Sequence, residues 1–222
     1  MPYTRIHMEI SYKVLMQWNV IKNASDFILG AIAPDAVHMN ADYSLQLKEQ
    51  SHVWNCGPHW GITTDSDKWK RNVLDFWNRY QEHEKTDFIR GYFVHLLTDW
   101  LYDVKIWTPF ISMAENSYEE VRKKYAAEAN GIEQWLHQKS PYSKEMWKLL
   151  GNSQSVTLEG MILAKDIDRF KEDVLIHRYQ KDFYEDVTNY SCCKKDVIAL
   201  FIEECTEMIV ENILELEKGN IK

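Results

Sequence analysis

The segment Phe88-Ile-Arg-Gly-Tyr-Phe-Val-His-Leu-Leu-Thr-Asp-Trp-Leu-Tyr-Asp103 constrains the chain more than any other. It is apolar enough for the centre of a core, yet His95, Asp99 and Asp103 follow one another at intervals of four. Residues four apart share a helix face. An imidazole and two carboxylates therefore line one stripe of a helix otherwise suited to burial. A carboxylate buried without a partner costs several kcal/mol. A metal ion is a natural partner for a buried His/Asp pair, so other parts of the chain are expected to supply further ligands.

The rest of the composition favours helices packed around such a segment. The chain has 222 residues, 45% hydrophobic, with nine Trp, only 8 Gly and 5 Pro, and little strand-like alternation. This predicts an all-α fold, a multi-helix bundle formed as a single domain over residues 1–222. The metal site falls within 1–107, with helical packing and cover from 108–222. The net charge of −8 argues against a surface for duplex nucleic acid, which is normally basic. Cys56, Cys192, Cys193 and Cys205 form no CxxC pair, so reduced structural thiols are expected rather than a disulfide framework. The N-terminus lacks an apolar signal-peptide core, and no apolar run is long enough to span a membrane. A cytoplasmic location is the resulting expectation.

Periodicity and punctuation predict the elements in order. A first helix runs from about Thr4, its N-cap, to Trp18, with Ile6, Ile10, Val14, Leu15 and Trp18 inward. His7 faces inward with them; a lone inward histidine is ordinarily a hydrogen-bonded core residue. Asn23–Asp26 caps a short helix, Phe27–Ala33, which Pro34 stops. Gly30 within it permits another backbone to approach. Asp35 follows at the helix exit, and His38 three residues later. Residues 40–65 read as a long ordered loop folded over a site, carrying His52, Trp54, His59 and Trp60. A helix from Ser66 to about His83 buries Trp69, Val73, Phe76, Trp77 and Tyr80; His83 and Asp87 read as surface residues. The helix of the opening segment runs to about Trp107 and ends at Pro109. Ser117 and Glu120 form a capping box for a helix to about Gln138. Further helices are expected over Ser143–Leu150, Leu158–Tyr179 and Cys193–Glu217, with Asp182–Asn189 as a connection. The last is expected to bury Val197, Leu200, Phe201, Cys205, Met208, Ile209, Ile213 and Leu216.

The candidate constellation is His7, Asp35, His52, His95 and Asp99. Mixed imidazole and carboxylate donors suit zinc, and manganese or iron is compatible with them. The ordered series His7, Leu29-Gly-Ala-Ile-Ala-Pro-Asp35-Ala-Val-His38, Ser51-His52-Val-Trp and Phe88-Ile-Arg-Gly-Tyr-Phe-Val-His95-Leu-Leu-Thr-Asp99 resembles the zinc-dependent phospholipase C family, in particular its small bacterial members. That resemblance covers roughly the first 107 residues. It implies an all-α fold shared with the fungal single-strand-specific nucleases, and phosphodiester cleavage at clustered zinc ions. It further implies that Asp35, His52, His95 and Asp99 hold one zinc, with Asp99 bridging to a second zinc on His7. The chain departs from the trinuclear members of that family. It begins Met-Pro-Tyr rather than with a ligating Trp, and no HxxxD or HxxxE follows Asp99. The third site is therefore missing, and the second is incomplete unless His38, His59 or Asp103 completes it.

The resulting expectation is a zinc-dependent hydrolase of a small-molecule or lipid phosphate ester, with one or two ions activating water. Asp35 and His38 are its candidate catalytic residues, and Trp54, His59 and Trp60 its candidate substrate contacts. The alternative is a helical protein whose degenerate metal site is structural or binds a ligand without turnover.

Overall fold

The computed structural model describes residues 3–114, 117–179 and 186–219. Among these residues the fold is all-α, without a strand. Its helices are α1 (Thr4–Leu15), α2 (Ala24–Gly30), α3 (Leu45–Ser51), α4 (Ser66–Tyr80), α5 (Thr86–Tyr102), α6 (Thr108–Ser112), α7 (Tyr118–Lys139), α8 (Ser143–Gly151), α9 (Ala164–Glu172) and α10 (Lys195–Glu217). A 3-10 helix, Ala33–Met39, follows α2, and π-helical turns at Asp103–Trp107 and Asp173–His177 extend α5 and α9.

Helix α5 is the central element and is buried on nearly every side, which explains its unbroken apolar character. It packs against α1, α2, α4 and α10. Its contact with α2 is made by glycines on both helices. A Cβ on Gly91 would collide with the carbonyl oxygen of Phe27, and a Cβ on Gly30 with that of Phe88. The two backbones therefore touch, as expected for Gly30, and the contact is reciprocal. It brings Ala31, the residue after α2, against His95 of α5.

The second half of the chain holds the first half in place. Tyr3, not Thr4, occupies the α1 N-cap, and no side chain of the helix itself caps it. Instead Glu133 of α7 accepts the backbone N–H groups of Arg5 at 2.6 Å and Ile6 at 3.1 Å, satisfying donors that a helix start leaves open. The Thr4 hydroxyl accepts a bond from Arg178 at 2.7 Å. Arg5 is fully buried; it pairs with Glu9 and donates to Ser143 of α8 at 3.0 Å.

Several local expectations change. The segment 40–65 contains α3, capped by the Ser44 hydroxyl, which accepts from Leu47 N–H at 3.2 Å. Pro34 and Pro109 begin helical segments rather than end them, because a helix start needs no N–H donor there. The stretch Leu158–Ile162 is a turn closed by a backbone bridge, and α9 begins only at Ala164. Asp87 is not a free surface group: its carboxylate accepts Lys22 N–H at 2.9 Å and Asn23 N–H at 2.7 Å. On α10 the buried stripe is Ile198, Phe201, Ile202, Cys205, Thr206, Ile209 and Ile213, while Val197 and Leu200 are exposed. The buried residues fall at intervals of three and four along one face of the helix. Of the expected connection Asp182–Asn189, residues 182–185 lie outside the described residues; Val187–Asn189 is a 3-10 turn. The four cysteines are free thiols.

The α2–α5 contact yields a stability prediction. Gly91→Ala improves intrinsic helix propensity by about 1 kcal/mol, but its methyl group cannot be placed without separating the helices. A net loss of at least about 2 kcal/mol is expected in urea unfolding. Gly151→Ala, at a position with open space around it, is expected to be neutral or slightly stabilising.

Candidate metal centre

Four elements deliver five side chains to one buried point. His7 comes from α1, Asp35 from the 3-10 helix after α2, His52 from the residue following α3, and His95 and Asp99 from α5. His52 Nε2 lies 3.3 Å from His95 Nε2, 3.4 Å from Asp35 Oδ1 and 3.4 Å from Asp99 Oδ2. His95 Nε2 lies 3.4 Å from Asp99 Oδ2. The other Asp99 oxygen, Oδ1, is 3.4 Å from His7 Nε2. The His7 ring stacks on that of His95, with centroids 3.7 Å apart.

Tautomers follow from the outer contacts. His95 Nδ1 is 2.8 Å from the carbonyl oxygen of Ala31, and His52 Nδ1 is 2.9 Å from that of Lys48. A carbonyl can only accept, so both Nδ1 atoms carry a proton, and in the neutral ring each Nε2 presents its lone pair inward. Such outer hydrogen bonds are how proteins fix the orientation of metal-binding imidazoles. Ser51 adds a contact of 2.8 Å to His52 Nδ1, and the Tyr92 hydroxyl holds the Ser51 carbonyl at 2.6 Å. Immediately after His52, Val53 has φ of 46°. This is a strained setting for a β-branched residue.

Lone pairs of two imidazoles and two carboxylates thus face one another. Neither oxygen of Asp99 and neither nitrogen of His7 has a hydrogen-bond partner among the described residues. Four donors bound to one zinc at about 2.0–2.1 Å stand roughly 3.3–3.4 Å apart at the corners of a tetrahedron. Four of the six separations match that figure, those from His52 to the other three and from His95 to Asp99. Two groups have ligand atoms close enough to share an ion: His52 with His95 and Asp99, and His7 with Asp35 and His95.

Electrostatics reflect the crowding. Burial pushes His7 down to about 4 and also lowers His52. For His95 burial acts in the same direction, but the Asp99 charge outweighs it and the ring is raised. Burial alone would raise both carboxyls. Lys48 first, and then the imidazoles, hold Asp35 well below its ordinary value; His95 first does the same for Asp99.

Lys48, on α3, is a member of the site that lay hidden in a segment read as loop. Its Nζ is 3.2 Å from Asp35 Oδ1 and 2.9 Å from His38 Nε2, and it lies over the Trp60 ring. Its signal in the sequence is its position four residues before His52, on the same helix face. These residues border a cleft of about 530 Å³, whose walls include Asp35, His38, Lys48, Trp60, Trp107, Tyr118, Glu133 and Arg178. Trp54 is buried edge-on against Trp60 and borders a separate groove. His59 is exposed beside Tyr118, its Nδ1 3.0 Å from the Trp60 carbonyl. Asp103 is buried and accepts the Thr108 hydroxyl at 3.2 Å, and belongs to neither ligand group. Glu133, pushed up to about 7 by burial, is a cleft residue with no sequence motif to mark it.

No family model, curated protein or solved structure matches the chain. The likeness to the phospholipase C family therefore rests on the residue series itself.

The depressed His7 gives a pH prediction for the metal-free chain. Its ordinary value is 6.5 and its folded value about 4. Between these, the unfolded chain binds more protons, so stability falls as the pH drops from 6.5 toward 4, by up to about 1.4 kcal/mol per unit for each such group. Urea titrations in chelator at pH 7, 6 and 5 are expected to show this loss, and His7→Gln to remove up to about one proton from its slope.

Proposed function

We propose that the protein is a metal-dependent hydrolase of phosphate esters, with zinc held by Asp35, His52, His95 and Asp99. The observation that carries this reading is the set of 3.3 and 3.4 Å separations among inward-facing nitrogens and oxygens of a cluster that is buried except at Asp35. Two imidazole nitrogens and two carboxylate oxygens crowd one point there, an arrangement that a bound cation would stabilise. His7, opposite the second oxygen of Asp99, is the candidate ligand for a second ion.

When bound, zinc supplies Lewis acidity and an activated water near neutral pH. The chain's own residues do the remaining work. His52 and His95 keep their Nε2 lone pairs inward because backbone carbonyls hold the opposite ring nitrogens. Asp35, with 16% of its side chain exposed, stands where the cluster meets the cleft. It is the carboxylate that a water entering from the cleft would meet first, and the Lys48 charge keeps it ionised for a role as ligand. His38 contacts the same edge through Lys48. Trp60 covers His52, its ring centroid 4.8 Å away, and excludes water from that side. The substrate class is a small-molecule or lipid phosphate ester, as the cleft volume admits a head group of modest size.

Metal content and turnover test the proposal together. The purified chain is expected to hold at least one zinc and to hydrolyse bis(p-nitrophenyl) phosphate in a chelator-sensitive manner. His95→Ala and Asp99→Asn are each expected to lose most of the zinc and to reduce turnover by about 100-fold or more. Stoichiometric zinc with no chelator-sensitive turnover on any phosphate ester would leave a non-catalytic metal site instead.

A further inference from the structure

We propose that the Lys48 ammonium is a phosphoryl-oxygen site, a substrate-binding group that works beside the metal; this rests on the metal-centre reading above. An ammonium has three donors. Among the described residues, two of them have protein partners, Asp35 Oδ1 at 3.2 Å and His38 Nε2 at 2.9 Å. The side chain is 11% exposed, and the residue borders the cleft. One face of the ammonium is covered by the Trp60 ring, 5.0 Å from its centroid. A charged group so nearly enclosed, with a donor still to satisfy, is built to receive an anion from the cleft.

Its position fixes which part of the ligand it takes. Lys48 and His52 contact the same Asp35 oxygen. A phosphoryl group held at the metal cluster therefore lies within reach of Nζ. The charge balance agrees. Asp35 and Asp99 carry two negative charges, Lys48 one positive, and the imidazoles act as neutral ligands. A single divalent ion leaves the enclosure with an excess positive charge, which an anionic phosphoryl group neutralises. The α3 backbone ties the two functions together: Lys48 supplies the ammonium from its side chain, and its carbonyl orients His52.

The simpler alternative is that Lys48 only neutralises Asp35 and holds it for the metal. The two roles differ in what a neutral residue of similar length does. In the full zinc-loaded chain, Lys48→Met is expected to keep its zinc content but bind inorganic phosphate at least about tenfold more weakly by titration calorimetry, with a matching rise in KM for bis(p-nitrophenyl) phosphate. Lys48→Arg, which retains the charge, is expected to recover most of that affinity. Phosphate affinity independent of residue 48 at full zinc content overturns the inference and leaves the metal centre intact. Parallel loss of zinc and phosphate binding in Lys48→Met, with neither restored by Arg, assigns Lys48 to positioning Asp35 and overturns it as well. A wild-type chain that holds no zinc overturns the metal centre itself, and the inference with it. Should Lys48→Met not fold, Lys48→Gln serves the same comparison.

Discussion

The structure depends on a carboxylate placed where water cannot reach it. Asp99 is 1% exposed, within a helix buried on nearly every side. An isolated charge there would cost several kcal/mol even after relaxation. Three imidazole nitrogens surround it at 3.4 Å, and none makes a well-directed hydrogen bond to it. Within the protein the imidazoles, His95 first, offset that charge, and a bound cation would offset it further. That buried charge, more than any single ligand, is what points to a cation.

The surrounding architecture keeps the cluster in place. Glycines 30 and 91 let α2 and α5 touch, and the contact sets the Ala31 carbonyl against His95. The carbonyl of Lys48 does the same for His52. The Ala31 carbonyl stands at the end of α2, whereas the Lys48 carbonyl also accepts the His52 backbone N–H at 3.1 Å and so fixes both the backbone and the ring of that residue. Backbone acceptors placed by helix packing thus orient both imidazoles.

Much of this was legible in the sequence. The intervals of four in α5, the helix exit at Asp35 and the Ser-His pair at 51–52 marked four of the residues that meet at the candidate centre, and the inward position of His7 on the first helix marked the fifth. They were legible because each combines an ionisable group with apolar neighbours. Short-range rules also found the α7 capping box and the close approach at Gly30. Lys48 escaped because α3 has seven residues, and a helix so short and polar shows no hydrophobic period. Glu133 escaped because its partners, Arg5 and Ile6, stand more than a hundred positions away. On α10 the expected burial of Val197 and Leu200 failed, since both lie to the side of the face centred on Ile198, Ile202, Cys205 and Ile209.

The pairing of Glu133 with the first turn of α1 also bears on how the chain assembles. Asp35, His52, His95 and Asp99 all lie within the first half of the chain, so their part of the centre depends on early residues. His7 is the first of the five to be synthesised, yet its helix takes its N-terminal partner from a residue 127 positions after Ile6. Contacts across such separations form late, because closing the intervening loop costs entropy that only the completed packing offsets. Helix α1 also packs on α2 and α5, so the placement of His7 is tied to both halves of the chain at once.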